Sequence, residues 1–219
     1  MAILKGELHR LRIFSRPFVV RRYFKENAEP KLNLGCGSKV VPGWLNVDKF
    51  APTADAYLNA CARFSFPADV FKAVYVEHLL EHIKVDKVPF LLSELYRVIR
   101  PNGILRIICP DLELHAAMYH ENRSEFFKPF LKRFEEYRKT EPRKYWLVRT
   151  KGGVFNTRFV ERFYHHRWMY DFETLDICLR EIGFQEVVRQ AHRKSLLDDM
   201  GILDSEEGKE ESLYVDAVK

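Results

Sequence analysis

Cysteine is scarce in this sequence, and no two of the four cysteines form a C-x-x-C pair. That pattern excludes a disulfide-stapled secreted fold for a chain of 219 residues and gives no support to structural zinc. No run approaches the ~18 uncharged apolar residues of a membrane-spanning helix. Basic residues interrupt the apolar residues of the first segment, so no secretory signal is predicted. We therefore expect a cytoplasmic protein.

The net charge of +5 comes from one end of the chain. Residues 1–28 hold seven basic and two acidic residues, whereas residues 29–219 hold 29 of each sign. The sequence thus predicts a basic helical leader, 1–28, followed by one domain, 29–219. The leader could be an amphipathic helix on the anionic inner face of a membrane, a helix packed on the domain, or a homodimer contact. The last two are favoured over membrane binding.

Short apolar runs alternate with helical patterns as far as residue 110, after which the order is helix, strand, loop, strand. This order is typical of an open α/β sheet, whose ligands bind beyond the carboxyl ends of the strands. The patterns predict strands at 31–35, 44–48, 73–78, 104–110, 184–190 and 212–218, and helices at 86–100 and 171–183. An aromatic-rich helical segment, 113–165, precedes the last helix.

A glycine turn follows the first predicted strand, and an acid ends the second. Gly35 and Gly37 allow a tight turn that lies close to a ligand, and Asp48 follows eleven residues after Gly37. A carboxylate at this place can accept hydrogen bonds from both hydroxyls of a ribose. Val40 stands where a dinucleotide fingerprint has its third glycine, and Pro42 follows at once, so a ribose-bearing ligand without phosphate fits better.

Four segments, in order along the chain, resemble the class I S-adenosylmethionine-dependent methyltransferases: LNLGCGSKVVPGWLNVD, VYVEHLLEHI, ELYRVIRPNGILRIICPDL and SLYVDAV. They are most like the small bacterial type-11-like branch associated with surface-polysaccharide biosynthesis. The resemblance implies a Rossmann-like seven-stranded sheet with the last strand antiparallel, helices on both faces, and a helical insert after the fifth strand. It also implies that this insert, 113–165, caps the acceptor.

The resemblance assigns the cofactor-binding roles by position. The methionine end of S-adenosyl-L-methionine would be lined by Asn33, Gly35, Cys36 and Gly37. Asp48 would bind the ribose, Asn59 and Ala60 would lie near adenine, and Glu77 and His78 would lie beneath the sulfonium. Two positions depart from the family pattern. Lys39 replaces its third glycine, and Asn59 stands where many relatives have an acid.

Methyl transfer also needs a group that removes a proton from the acceptor. The catalytic candidates are His166, Asp111 and His78, and His166 is considered as a base with an ordinary histidine pKa near ~6.5. Asp111 precedes an apolar run, so it could equally be a helix N-cap. No metal site is predicted, because the adjacent His165 and His166 would point apart and Glu113 and His115 would not converge on a helix.

The function predicted from these residues is O-methylation of a sugar or another small-molecule or glycan acceptor. One alternative is an RNA methyltransferase, since the leader and residues 123–151 are basic, but residues 29–219 are neutral overall and hold no recognisable RNA-binding module. The other alternative is a catalytically silent, cofactor-binding partner subunit. The two glycines and Asp48 predict cofactor binding in either case.

Overall fold

The computed structural model describes residues 17–159, 165–201 and 203–219. Its centre is one sheet of seven strands. The strands are β1 (Lys31–Leu34), β2 (Leu45–Asp48), β3 (Ala56–Tyr57), β4 (Phe71–Glu77), β5 (Ile99–Pro110), β6 (Glu186–Gln190) and β7 (Ser212–Val218).

The order of the strands across the sheet is β3-β2-β1-β4-β5-β7-β6. The pairs among β1 to β5 are parallel, whereas β7 lies antiparallel between β5 and β6. The predicted fold is therefore confirmed: this is the Rossmann-like sheet with its last strand antiparallel. The carboxyl ends of β1, β2, β4 and β5 lie at one edge.

Helices cover both faces and form the segment that follows β5. The first described helix, α1, covers residues 17–26. The others are α2 (Val88–Val98), α3 (Leu112–His120), α4 (Ser124–Thr140), α5 (Lys151–Thr157), α6 (Phe172–Ile182) and the four-residue α7 (Asp198–Gly201). Two single turns of 3-10 helix, Leu80–His82 and Val85–Lys87, precede α2. Within the described residues, no helix is both long enough and apolar enough to span a bilayer.

The larger core lies on the face of the sheet that α1, α2 and α6 cover. Helix α1 contributes Val20, Tyr23 and Phe24 to it, and the Phe24 ring lies 5.5 Å from that of Phe71. The Tyr23 hydroxyl donates to the Lys31 carbonyl at 2.9 Å. The described part of the predicted leader is thus packed on the domain, and residues 1–16 lie outside the described residues.

The opposite face holds a smaller apolar core and a buried ion cluster. Ala73 and Tyr75 of β4 face this side, since successive residues of a strand alternate, and α7 adds Met200. Arg106 of β5 is fully buried and binds Asp204 through two hydrogen bonds, of 2.8 and 2.6 Å. It also donates to Asp216 of β7 at 2.7 Å. The cluster ties the chain after α7 to the centre of the sheet.

The segment 113–165 contains helices, as predicted, and has an apolar core of its own. Phe127, Phe130 and Phe134 of α4 pack with Tyr145 and Val154. Most aromatic residues of the segment therefore pack on one another. Trp146 is an exception, with 60% of its surface exposed.

At the junction of α2 and β5, both boundaries predicted from the sequence are wrong. Helix α2 ends at Val98, not 100, and β5 begins at Ile99, not 104, because Ile99 pairs with Phe71 beside a register shift in β4. Gly103 permits this close path: a Cβ there would lie 2.6 Å from Ile99 Cγ2 and 2.8 Å from the Arg100 carbonyl oxygen. Pro101, Asn102 and Gly103 therefore lie within β5, at the register shift, and the helix has already ended before them.

Candidate active site

The glycine turn after β1 is held against the end of β2. Gly35 and Gly37 have φ values of +72° and +54°, in the left-handed region that favours glycine. A Cβ on Gly35 would lie 2.9 Å from Leu79 Cδ2. The Gly37 amide donates to Asp48 Oδ2 at 3.1 Å, and the Thr53 hydroxyl donates to the Gly37 carbonyl at 2.7 Å. The turn is therefore fixed in a shape that residues other than glycine rarely adopt.

A groove of about 210 Å³ runs along this turn. Gly35, Asp48, Asn59 and Ala60 line it, four of the residues predicted to bind the cofactor. Leu34, Leu58, Leu79 and Ile83 add apolar surface. The groove therefore combines apolar surface with one carboxylate and one side-chain amide, which suits a nucleoside.

The chain turns sharply after β4. His78 has φ +48°, which a residue with a side chain rarely adopts. Its Nδ1 lies 3.0 Å from Glu81 Oε1, and its Nε2 lies 3.4 Å from the Ser212 hydroxyl. Burial alone would lower the pKa of His78, but the hydrogen bond to Glu81 and its charge outweigh burial and raise that pKa. Glu81 thus orients the ring and stabilises its charged form.

A second cavity, of about 270 Å³, opens beside the groove, and His82 lines both. We call it the acceptor cavity. Its charged lining includes Arg133, Arg158, Glu207 and Glu211. Arg158 is buried and pairs with Glu211, whereas Arg133 lies 3.6 Å from Glu207. The cavity therefore contains charged side chains that can donate and accept hydrogen bonds.

His78 and His166 both line the acceptor cavity. The segment that carries His166 is docked on the turn after β4, since the Arg167 amide donates to the Glu81 carbonyl at 2.7 Å. The imidazole of His166 lies edge-on to that of His82, with 5.1 Å between ring centroids. Burial lowers the pKa of His166 to about 4. The expectation of an ordinary histidine pKa at this position is therefore wrong.

Asp111, the third catalytic candidate, does not line the acceptor cavity. Its Oδ1 accepts from the Leu114 amide at 3.1 Å, as the N-cap of α3, and its Oδ2 accepts from Arg189 at 2.6 Å. Both carboxylate oxygens thus have structural partners. The geometry favours the N-cap interpretation and gives no support to Asp111 as a base.

Two residues predicted to line the methionine end, Asn33 and Cys36, do not line the groove, nor does Glu77, which was predicted to lie beneath the sulfonium. Asn33 is buried and donates to the Lys39 carbonyl at 2.9 Å and to Asn46 Oδ1 at 3.0 Å. Its side chain therefore stabilises the glycine turn from the buried side. Cys36 is also buried, and neither residue lines the groove. Glu77 binds Lys39 at 2.7 Å and the Ser205 hydroxyl at 2.8 Å.

Lys39, at the position of the family's third glycine, fastens a distant segment to this edge of the sheet. Its Nζ contacts the Tyr75 hydroxyl, the Ser205 hydroxyl and the Leu203 carbonyl as well as Glu77. Burial would raise the pKa of Glu77, but the hydrogen bonds from Lys39 and Ser205 outweigh it and lower that pKa. The ionised pair therefore holds the segment around Ser205 where it lines the acceptor cavity.

Several residues of the acceptor cavity were not identified from the sequence. Arg158 and Glu211 are 53 residues apart and meet only in the fold. The one available signal was the acidic segment 198–211, which places Glu207 and Glu211 at the cavity.

Comparisons with known proteins agree with this arrangement. Residues 32–107 match the family model described as "Methyltransferase domain". An S-adenosylmethionine-dependent methyltransferase from Archaeoglobus fulgidus has 16% identity and a TM-score of 0.50 over 100% of this chain and 94% of that one. A second such enzyme, from Thermotoga maritima and described as a possible histamine N-methyltransferase, has 16% identity and a TM-score of 0.52 over 97% and 91%. No curated protein sequence matches significantly.

The matched residues run from β1 into β5, so they include both glycines, Asp48 and the turn after β4. Residues 32–107 therefore match a methyltransferase domain, and the fold is that of the two S-adenosylmethionine-dependent methyltransferases. The cofactor of such a domain is S-adenosyl-L-methionine. The apolar groove, with Asp48 at the end of β2 and open backbone at Gly37, fits the nucleoside of that cofactor.

Proposed function

We propose that the protein methylates a hydroxyl group of a small polar acceptor, a sugar or a glycan, in the synthesis of surface polysaccharide. The observation that carries this proposal is the charged acceptor cavity, which opens directly beside the nucleoside groove. Paired arginines and glutamates offer donors and acceptors to the many hydroxyls of a sugar. Trp168, half exposed at an adjoining cavity, offers a face on which a sugar ring can pack.

In this proposal, Asp48 accepts a hydrogen bond from the ribose, Asn59 and Ala60 lie at the adenine, and Gly35 and Gly37 let the backbone approach the cofactor. When bound, the cofactor supplies an electrophilic methyl group. The protein must then place the acceptor oxygen in line with that group and take up its proton.

We assign the proton-accepting role to His78. Its ring lines the acceptor cavity and is oriented by Glu81, and the carboxylate stabilises the charged ring that forms when the proton arrives. His166 also faces the cavity, but its low pKa makes it a much weaker base. Asp111 has no free access to the acceptor.

The experiment measures formation of the demethylated cofactor with a panel of free sugars, nucleotide sugars, amines and tRNA. We expect turnover with hydroxyl-bearing sugars, and we expect His78→Gln to lower kcat by roughly 100–10,000-fold, the usual contribution of a positioned base. The affinity for the cofactor, measured by calorimetry, should change less than about twofold. His120→Ala, a change of an exposed histidine on α3, is the matched control.

Each alternative function predicts a different result. Methylation of tRNA without methylation of any sugar would support the RNA methyltransferase. Cofactor binding without turnover on the whole panel would support the silent partner subunit.

We place the protein in the cytoplasm because its cysteines form no disulfide among the described residues. Membrane contact or dimer formation through residues 1–28 stays a prediction.

A further inference from the structure

Glu81, His82 and His166 bring three ligand atoms together at the boundary of the groove and the acceptor cavity. One carboxylate oxygen and one imidazole nitrogen from each histidine all lie within 4.8 Å of one another. Ligand atoms that share a zinc ion lie up to about 4 Å apart, since each bond is ~2.1 Å long. His82 is exposed, so its side chain has room to rotate toward the other two ligands.

The buried carboxylate of Glu81 is only half satisfied. The residue is fully buried, its Oε1 binds His78, and its Oε2 has no hydrogen-bond partner among the residues that the structure describes. A buried acceptor without a partner costs about 1–3 kcal/mol, and more when it is charged. A cation bound to Oε2 removes that cost, so this atom points independently to a ligand.

The ligand set indicates which cation. Two imidazoles and one carboxylate suit zinc and other divalent transition metals, whereas magnesium and calcium prefer oxygen ligands throughout. Three protein ligands also leave a coordination position open, as in catalytic metal sites. The hydrogen bond between His78 and Glu81 orients the Glu81 carboxylate, as a neighbouring residue commonly does for a metal ligand.

We propose that Glu81, His82 and His166 form a binding site for a divalent metal ion of the zinc class, with its open position toward the acceptor cavity. The role of the ion rests on the proposed function: it binds the acceptor hydroxyl and makes its proton easier to remove. The acceptor O–H bond breaks and the proton passes to His78. The oxygen forms a bond with the methyl carbon, and the C–S bond of the cofactor breaks to leave a neutral thioether.

Metal content tests the site without any acceptor. The full chain, produced without a histidine tag, is stripped with a chelator and dialysed against zinc, and the bound metal is measured by mass spectrometry. We expect one zinc per chain. Glu81→Gln and His166→Ala should each weaken binding at least about 100-fold, whereas His120→Ala should bind as the wild type does.

The exposed ring of His82 supplies a variant that does not disturb the core. His82→Ala should keep the thermal stability of the stripped protein and still lose the zinc. No stoichiometric binding of zinc, iron(II) or manganese to the wild type would overturn the proposal. Equal binding by the wild type and the three variants would overturn it as well.

Measurements of methyl transfer with and without the metal test the metal site and the proposed function separately. Methyl transfer to sugars that is unchanged after removal of the metal would overturn the role given to the ion, and the proposed function would stand. Zinc bound by the three residues, with no transfer to any acceptor, would support the site and contradict the proposed function.

Discussion

At the scale of single residues, the carboxylate of Asp48 holds two loops of the protein together, and it is also proposed to bind the ribose of the cofactor. Its Oδ1 accepts from the amides of Phe50 and Ala51, at 2.5 and 2.7 Å, and its Oδ2 accepts from Gly37. A carboxylate offers about four lone-pair directions. Three of them hold the two loops together, so roughly one is left for a ribose hydroxyl.

Asp48→Ala should therefore weaken cofactor binding on the order of 10–100-fold, because it removes a charge-assisted hydrogen bond of roughly 1.5–3 kcal/mol. Asp48→Asn keeps one carbonyl oxygen and should lose less. Calorimetry with the cofactor and its demethylated product measures both. Thr53→Val is the matched control, since it releases the Gly37 carbonyl without touching the carboxylate. Equal affinities of wild type and Asp48→Ala would refute the ribose contact.

The sequence located the ends of the strands but not the direction of every side chain. Spacing indicated Gly35 and Asp48, and the family resemblance indicated Asn59; all three line one groove. Spacing did not give the direction of the Asn33 side chain. Asn33 lies within β1, so the pairing of β1 with its neighbouring strands decides on which side its amide lies. The hydrogen bonds that occupy Asp111 come from Leu114, which an N-cap pattern indicates, and from Arg189 on β6, which no local pattern indicates.

At the scale of the elements, α6 begins with a side-chain cap. Asp171 Oδ1 accepts from the Thr174 amide at 2.8 Å, and Gly183 ends the helix with φ +124°. The hydrogen bonds from Thr174 lower the pKa of Asp171. The charged carboxylate therefore stabilises the folded protein above its unfolded pKa of about 3.9, and the contribution is lost as the pH falls through the lower folded value.

Asp171→Ala should lower the free energy of unfolding by about 1 kcal/mol at pH 7, the usual cost of a lost N-cap. The difference from the wild type should shrink as the pH drops below about 4. Urea unfolding across that range measures it. Asp176→Ala, which removes only an exposed pair with Arg180 on the same helix, should cost less than about 0.5 kcal/mol. A cost for Asp171→Ala that stays constant with pH would contradict the capping argument.

The elements were easier to predict than their limits. Helices α2 and α6 have apolar stripes at helical spacing, and both were found from the sequence. The start of β5 was misplaced because Ile99 is extended through its pairing with Phe71, a partner 28 residues away that no local pattern contains.

At the scale of the whole molecule, the buried cluster of Arg106, Asp204 and Asp216 joins β5, β7 and the chain after α7. Arg106→Met leaves two carboxylates without their cation, so it should cost about 3–5 kcal/mol of stability by urea unfolding. Replacing all three residues by apolar ones of similar volume should recover most of that loss. Arg100→Met, on the same strand but paired with the exposed Glu29, is the control and should cost less than about 1 kcal/mol. A cost below that of Arg100→Met would mean that the cluster does not carry the connection.

The same cluster has a consequence for the order in which the chain is made. Arg106 leaves the ribosome 98 residues before Asp204 and 110 before Asp216. At a synthesis rate of roughly 5–20 residues per second, its charge stays in water for about 5–20 s. Strand β6 is also made before β7, its partner in the sheet. The nascent protein can therefore form the parallel strands early, but it cannot bury this face with its charge paired until Asp204 and Asp216 have been made.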